Sequence, residues 1–340
     1  MRIDFEQVSF SYADAGTQKR RGSKRGRRNA GATPSDSLER HGQAAWGNDP
    51  DELWALQDVS FSLEPGEFLG IAGHTGSGKS TLIQHLNGLL HPTRGRVLVD
   101  GADLADKAAA RSIRGAVGVV FQYPEHQLFA GTAFDDVAFG PRNLGLDADA
   151  VTERVERALA QVGLDVAAIG TMSPFELSGG QQRRVAFAGV LAMDPQVLVL
   201  DEPVAGLDPA ARASFLDLIK DLHAGGLSVV MVSHNMNDLA RLCDRVLVLS
   251  QGRQLFLDVP EAVFAHEEEL HAAGLDVPEA QRMANSLRAR GLALPTRLYA
   301  TAADLAAELA ALYAHGDEKA AGRTAFSSPE PEAAEPEERP

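Results

Sequence analysis

The sequence lacks the features that would stabilise it outside the cytosol or hold it in a membrane. It has one cysteine, Cys243, which excludes an internal disulfide and is typical of a reducing compartment. Its longest apolar runs, "VLVL" at 197–200 and "VVMV" at 229–232, are strand-sized, whereas a membrane-spanning helix needs about 20 apolar residues. Residues 1–30 contain no apolar run of the signal-peptide type. We therefore expect a soluble chain that reaches a membrane only through a partner.

Basic residues are also fewer than acidic ones: the sequence has 32 Lys and Arg against 47 Asp and Glu. The formal net charge of −15 argues against nucleic-acid binding over the whole surface, and we expect no nucleic-acid partner. Basic residues do cluster in "KRRGSKRGRR" at 19–28, within a segment rich in Gly, Ala, Ser and Arg at 13–52. We interpret 13–52 as a disordered insertion whose charges are solvated. The alternative interpretation is a contact with anionic lipid headgroups or RNA.

Around this insertion, strand-like and helix-like patterns alternate. Residues 2–12 alternate as strands do, and "QVLVLDEP" and "LSVVMVSH" read as strands buried on both faces. With a helix predicted through "KSTLIQHLNGLL" and others between the later strands, the pattern predicts an α/β fold with a largely parallel core sheet. An apolar content of 44% is enough for a sizeable core.

After about residue 258 the composition changes to Ala, Glu and Leu. Amphipathic helices are predicted from the spacing of Met283 and Leu287 and of Leu305, Leu309 and Leu312. Residues 316–340 have Pro, Glu and Ala but little to bury, and we interpret them as a disordered acidic tail.

A glycine-rich loop is predicted between a strand and a helix. "GHTGSGKST" follows "FLGIA" and fits the pattern G-x-x-x-x-G-K-[ST]. In such a loop the backbone amides and the helix N-terminus surround the phosphates, Lys79 reaches the β- and γ-phosphates, and the Ser80 hydroxyl binds Mg²⁺. The predicted ATP-binding residues here are Gly73, His74, Thr75, Gly76, Ser77, Gly78, Lys79, Ser80 and Thr81.

Two adjacent acids end the apolar run "VLVL" and complete the same site. The strand delivers Asp201 to the metal ion. Glu202 follows directly, and we predict that it polarises a water molecule against the γ-phosphate.

A second glycine motif, "LSGGQ" at 177–181, raises the question of what it binds. Ser178 and the backbone amides of Gly179 and Gly180 open a predicted helix, which makes a second anion site. Nothing within one chain forces this motif onto the chain's own nucleotide. A surface that presents the motif to the nucleotide of a second copy explains the duplication better.

This combination of motifs resembles the ATP-binding-cassette ATPases over about residues 1–258. The resemblance implies a P-loop NTPase nucleotide-binding domain, with a RecA-like core, a mixed sheet and a helical signature subdomain at about 123–190. It also implies a head-to-tail dimer in which each ATP lies between one subunit's phosphate loop and the other's Leu177, Ser178, Gly179, Gly180 and Gln181.

Four further residues match positions of this family. By resemblance, Tyr12 stacks on adenine, Gln122 contacts Mg²⁺ or the attacking water, Asp208 is the acid of the loop linking the two sites, and His234 is the switch histidine at the γ-phosphate. The insertion begins directly after Tyr12. The resemblance gives no role to the rings of His74, His85 and His126.

A closer resemblance is to the ATPase subunits of energy-coupling factor transporters, which take up vitamins and metal ions. It rests on "GHTGSGKSTLIQHLNGLL", "FQYPEHQLF", "DVAFGPRNLGL" and "LAMDPQVLVLDEPVAGLDP", and the first and third of these match the second of the two ATPase types. Residues 268–291 resemble the C-terminal helical region that holds the ATPase pair together, so we expect a dimerisation region at 259–315. Val204 in place of the usual Thr, and the insertion, are departures.

The resemblance implies partners as well. The chain would pair with a sister ATPase, a heterodimer being favoured over a homodimer, beneath a transmembrane coupling protein received near Gln122–Phe129. A separate membrane-embedded subunit would bind the substrate, and the chain would be peripheral at the cytoplasmic face of the cell membrane. Two other classes of protein share these motifs: a DNA-moving ATPase, which usually has a long coiled coil between them, and a non-transport cassette such as a translation factor, which usually has two cassettes in one chain.

Overall fold

The computed structural model describes residues 1–13 and 54–324. Nearly all of the predicted insertion at 13–52, and the end of the predicted tail, lie outside these residues. The chain divides into two compact units, Met1–Val277 and Pro278–Pro340. The boundary between them comes later in the chain than the domain end predicted at residue 258. None of the helices that the described residues form is long and apolar enough to cross a membrane.

All the strands that the described residues form belong to the first unit. They are β1 (Ile3–Phe10), β2 (Leu56–Leu63), β3 (Phe68–Ala72), β4 (Arg94–Val99), β5 (Ala102–Asp103), β6 (Val117–Val120), β7 (Val197–Asp201), β8 (Ser228–Val232), β9 (Arg245–Ser250) and β10 (Arg253–Asp258).

The helices of the first unit alternate with these strands. They are α1 (Lys79–Leu86), α2 (Lys107–Ala116), α3 (Ala133–Asn143), α4 (Ala148–Gln161), α5 (Val166–Ile169), α6 (Gly179–Leu191), α7 (Pro209–Ala224), α8 (Met236–Leu242), α9 (Pro260–Val263) and α10 (Glu267–Ala272), with short 3-10 turns at Pro124–Gln127 and Pro174–Glu176. The second unit contains α11 (Glu279–Ala289) and α12 (Ala302–Thr324).

Two sheets form the core of the first unit. The larger has the order β10-β9-β3-β8-β7-β6, in which the five strands from β9 to β6 are parallel and β10 pairs antiparallel with β9. The smaller has the order β2-β1-β4-β5 and is antiparallel. The predicted parallel core is therefore present, and β9 and β10 form a hairpin at its edge.

Burial explains why the central strands are apolar along their whole length. Every residue of β3 and β8 is buried, as are the first four of β7. Helices cover both faces of a parallel sheet, so such strands cannot alternate apolar and polar residues. In the smaller sheet β1 and β2 do alternate in part, and the stacked rings of Phe5 and Phe61, with centroids 4.5 Å apart, join their inner faces.

A separate group of helices, α3 to α6, lies between β6 and β7 in the chain. Helices α3, α4 and α6 pack on one another. All four begin at a side-chain cap: Thr132 for α3, Asp147 for α4, Asp165 for α5 and Ser178 for α6. These four helices span residues 133–191, and the bounds of the subdomain at about 123–190 stay a prediction.

The second unit has a small core of its own. Ala280, Ala284 and Leu305 are buried around Tyr299, whose backbone amide donates to Oε1 of Gln281 at 2.9 Å. Met283, predicted to share a buried face with Leu287, is 58% exposed, because the buried positions of α11 are Ala280, Gln281 and Ala284 instead.

The last helix differs in extent from the sequence prediction. Helix α12 continues to Thr324 and so includes the first residues of the segment 316–340 that was predicted to be disordered. Residues 325–340 lie outside the described part of the chain.

We expect Gly70 in β3 to be sensitive to substitution, since a Cβ there would lie 2.7 Å from Sγ of Cys243 and 2.9 Å from Leu239. Gly70→Ala should lower the free energy of unfolding by about 1–3 kcal/mol because of overpacking. Adding Cys243→Ala removes the nearest atom, so the double variant should lose less than the sum of the two single losses. Urea denaturation of the four proteins measures this, and strictly additive losses would show that the clash is not the cause.

Candidate ATP-binding site

The predicted phosphate loop joins β3 to α1. Gly78, which precedes the helix, has φ 103°, a conformation that favours glycine. At Gly73 a Cβ would lie 2.3 Å from Oγ of Ser77 and 2.6 Å from the carbonyl oxygen of Leu249, so no other residue fits. The loop therefore forms a tight backbone cradle at the N-terminus of α1, a geometry suited to a phosphate group.

The loop also contains polar groups that could bind a phosphate group. Nζ of Lys79 donates to the carbonyl oxygens of Gly73 at 2.6 Å and His74 at 2.9 Å. Burial lowers the pKa of Lys79. The buried hydroxyl of Ser77 has no hydrogen-bond partner among the described residues, while Ser80 is exposed. An anion with several oxygens would satisfy these groups, so the residues present fit a nucleotide phosphate.

Two carboxyl groups stand at the carboxyl end of β7, beside this loop. Burial raises the pKa of Asp201, against the lowering effect of Lys79. Burial, and then the charge of Asp201, raise the pKa of Glu202 to about 7. Glu202 has φ 50°, an uncommon conformation for this residue type. Such strain and a pKa near neutrality are both typical of a residue that handles protons at a functional site.

His234 follows β8 and meets Glu202. Its Nε2 lies 3.3 Å from Oε1 of Glu202, and burial together with Lys79 lowers the pKa of His234. The structure thus brings Lys79, Asp201, Glu202 and His234 to one edge of the parallel sheet. Ligand sites in open parallel sheets lie at this carboxyl edge.

Gln122 and Tyr12 flank the same region. Gln122 is exposed just beyond the end of β6, the strand that pairs with β7. The hydroxyl of Tyr12 lies 3.1 Å from Oγ1 of Thr81 at the start of α1, and its ring packs edge-on against Phe10 with centroids 4.9 Å apart. Tyr12 is 55% exposed, so its free ring surface is available for stacking.

The second glycine motif opens α6 in the helical subdomain. Ser178 caps the helix in a capping box: the backbone amide of Ser178 donates to Oε1 of Gln181 at 3.0 Å, and the Gln181 amide donates to Oγ of Ser178 at 3.4 Å. No atom of the described residues lies within 4 Å of a Cβ built at Gly179 or Gly180. Leu177 is buried and anchors the motif, which leaves an open face at the glycines.

Asp208 has a local role in the structure. Its carboxylate caps α7 by accepting from the backbone amides of Ala210 at 2.9 Å and Ala211 at 3.0 Å. The cap fixes the exposed loop 205–208 at the start of a long helix.

Two residues without a predicted role connect the helices of the site. Arg212 of α7 forms an ion pair with the buried carboxylate of Asp238 in α8, the helix that follows His234. Burial raises the pKa of Asp238, which Arg212 opposes. The pairing joins residues that are distant in sequence, so no local pattern of residues indicates it.

Comparison with known proteins gives the family. Residues 56–205 match the ABC transporter family. The chain is 59% identical over 242 residues to the energy-coupling factor transporter ATP-binding protein EcfA2 of Symbiobacterium thermophilum, covering 71% of this chain and 84% of the relative. This chain belongs to the energy-coupling factor transporter ATP-binding proteins. EcfA2 of Listeria innocua is 44% identical over 283 residues, which cover 82% of this chain and 98% of that protein.

Solved structures of the family share the fold. The chain aligns with cbiO1 of Clostridium perfringens, described as part of the ABC transporter complex cbiONQ, at TM-score 0.62 and 30% identity, covering 83% of this chain and 98% of that one. It aligns with dimeric MJ0796 bound to ADP and Pi at TM-score 0.58 and 25% identity, covering 76% and 98%. The predicted fold class and family are confirmed.

The raised pKa of Glu202 makes a prediction about stability. The folded protein holds this proton up to about pH 7, whereas the ordinary pKa is 4.5. The protonated group therefore contributes stability that is fully present below pH 4.5 and lost as the pH rises through about 7. Glu202→Gln cannot ionise at this position, so it does not lose this stability at high pH. Its melting temperature should exceed that of the unsubstituted protein at pH 8 and differ little from it at pH 5.

The control for this measurement is Glu156→Gln, which removes an exposed carboxylate from α4. It should shift the melting temperature equally at both pH values. An equal shift for Glu202→Gln as well would contradict the burial of its carboxyl group.

Proposed function

We propose that the chain is the ATP-binding and ATP-hydrolysing subunit of an energy-coupling factor importer, and that it drives uptake of a vitamin or metal ion through separate membrane subunits. The observation that carries the proposal is the convergence of Lys79, Asp201, Glu202 and His234 beside the phosphate loop. The relatives named as energy-coupling factor ATP-binding proteins support the same conclusion.

Each residue of the site has a role in this proposal. The loop 73–81 binds the phosphates through its amides and Lys79, and Tyr12 stacks on the adenine. Oxygen ligands from Ser80, Gln122 and Asp201 would hold Mg²⁺, which bound ATP requires for charge neutralisation. Bound ATP supplies the phosphoryl group that is transferred to water.

Glu202 is the proposed general base. A carboxyl group with a pKa of about 7 is a competent acceptor at neutral pH, since its basicity is higher than that of an ordinary carboxylate. His234, at 3.3 Å, orients that carboxyl group, and its lowered pKa keeps the imidazole neutral. The side chain of Glu202 is 17% exposed, which limits the access of bulk water to the proton that it accepts.

The motif 177–181 is proposed to close the site of a neighbouring ATPase. Its open glycine face suits an anion brought by another chain, and the relative MJ0796 is described as dimeric. We propose a sister ATPase as this neighbour, in a heterodimer, with Asp208 at the junction of the two sites. Closure of such a dimer by ATP, and reopening after hydrolysis, would move the membrane subunits.

The membrane partners are proposed to dock near Gln122–Phe129. Phe129 is 61% exposed and packs edge-on against the exposed Phe139, with ring centroids 4.9 Å apart. A pair of exposed aromatic side chains suits an apolar helix of a transmembrane coupling protein. The chain would then be peripheral at the cytoplasmic face of the membrane, and a membrane-embedded subunit would bind the substrate.

The role of Glu202 is tested in the complex purified with its membrane partners. Glu202→Gln should lower the rate of ATP hydrolysis by at least about a hundredfold, because the general base is lost. ATP should still bind, and it should be trapped in the closed dimer. Hydrolysis and retained nucleotide are measured on the same preparation.

Lys79→Met is the contrasting variant, since it should weaken ATP binding itself. Near-normal turnover by Glu202→Gln would contradict the assignment of the base. Normal ATP binding by Lys79→Met would contradict the assignment of the phosphate loop.

A further inference from the structure

Arg183 is a buried cation that no role so far described uses. It lies on α6, in the turn after the capping box of Ser178 and Gln181, and is 3% exposed. Its Nη1 donates to the carbonyl oxygen of Ala205 at 2.9 Å, in the loop that precedes Asp208. A buried guanidinium needs strong partners, so its surroundings are informative.

The same guanidinium faces the segment that follows Gln122. Its Nε lies 3.5 Å from Oε2 of Glu125, and its central carbon lies 5.9 Å from the centroid of the Tyr123 ring. Helix α6 packs against this segment. Arg183 therefore contacts both the loop 205–208 and the residues after Gln122.

Tyr123 lies beside Arg183 and also contacts the loop 205–208. Its backbone is left-handed, with φ 56°, directly after Gln122. A Cβ built at Gly206 would lie 3.3 Å from Cε1 of Tyr123, so the ring rests on the loop 205–208. Three segments with different proposed roles thus meet around one side chain: 122–125, 178–184 and 205–208.

The pairing of Arg183 is incomplete in this conformation. Its Nε and Nη2, and Oε2 of Glu125, are buried without a hydrogen-bond partner among the described residues. A charge-assisted hydrogen bond between such groups is usually about 2.8 Å long. The 3.5 Å separation would therefore close with a small movement of the segment 122–125 towards α6.

We propose that Arg183 is a positioning residue that couples the segment after Gln122 to the loop 205–208 and to the motif 177–181. This rests on the proposed function, in which Gln122 serves the chain's own ATP and the motif serves the neighbour's. Movement of the segment after Gln122 completes the Arg183–Glu125 pair. Arg183 also donates to the carbonyl oxygen of Ala205 and belongs to α6. The movement is therefore transmitted to the loop 205–208 and to the motif 177–181.

A purely structural role predicts a different pattern of losses. If Arg183 only held α6 in place, substituting it would lower the melting temperature. The size of that decrease would not depend on whether Glu125 is present. A coupling role requires that Arg183 and Glu125 act together, and that the losses appear in kcat while the KM for ATP stays the same.

The experiment uses the complete transporter complex, with Arg183→Lys, Arg183→Gln, Glu125→Gln and the double variant of Arg183→Gln with Glu125→Gln. Arg157→Gln is the control, since it removes an exposed arginine that pairs with Asp194 elsewhere in the helical subdomain. The melting temperature, the KM for ATP, kcat and the substrate taken up per ATP hydrolysed are measured for each.

We expect both Arg183→Gln and Glu125→Gln to lower kcat about tenfold at unchanged KM, and the double variant to be no slower than Arg183→Gln. Arg183→Lys keeps the charge without the forked donor geometry and should not restore kcat. Uptake per ATP should also fall, and Arg157→Gln should be unaffected.

Multiplied losses in the double variant, or losses of melting temperature with unchanged kcat, would overturn the proposal. If the Arg183 variants fail to assemble, Glu125→Gln provides the test, because this substitution is nearly isosteric. An unchanged kcat in Glu125→Gln would then overturn the proposal. Absence of ATP hydrolysis by the unsubstituted complex would instead overturn the proposed function, so the two failures are distinguishable.

Discussion

Burial of unlike charges at one edge of the parallel sheet is the constraint on which the rest of the molecule depends. Lys79, Asp201 and Glu202 lie close enough to shift one another's pKa values, and burial disfavours the charge on each. The flanking strands must be wholly apolar to hold them there, and the loop must be glycine-rich to leave room for the phosphates. The site therefore depends on the buried, apolar strands around it.

The surfaces proposed to bind nucleotide lie in two separate parts of the chain. The groups proposed to act on the phosphates come from the loop 73–81 and the ends of β7 and β8, whereas the open glycine face of 177–181 belongs to the helical subdomain. The contact of Arg183 with Ala205 connects the helical subdomain to the loop 205–208, and the ion pair of Arg212 with Asp238 connects α7 to α8. Buried and half-buried ion pairs of this kind fix the relative position of helices more than they add stability.

Much of this was predictable because the chemistry is local in sequence. The phosphate loop requires glycines, a lysine and a hydroxyl within nine residues, and Asp201 and Glu202 directly end the apolar strand that delivers them. Contacts between distant residues were not predictable: Glu125 and Arg183 become partners only when α6 packs on the segment after Gln122. The exposure of Met283 was missed for a related reason, since two alanines and a glutamine carry the buried face of α11.

The central claim is that this chain contributes to two different ATP molecules, one through Lys79 and the other through Ser178. The most direct measurement is a cryo-EM structure of the complete complex carrying Glu202→Gln, with ATP and Mg²⁺ bound. The account predicts that Lys79 contacts the phosphates of one ATP and that Ser178 contacts the γ-phosphate of another, held by the neighbouring ATPase. Contact of both residues with the same ATP, or of Ser178 with none in the closed dimer, would contradict it.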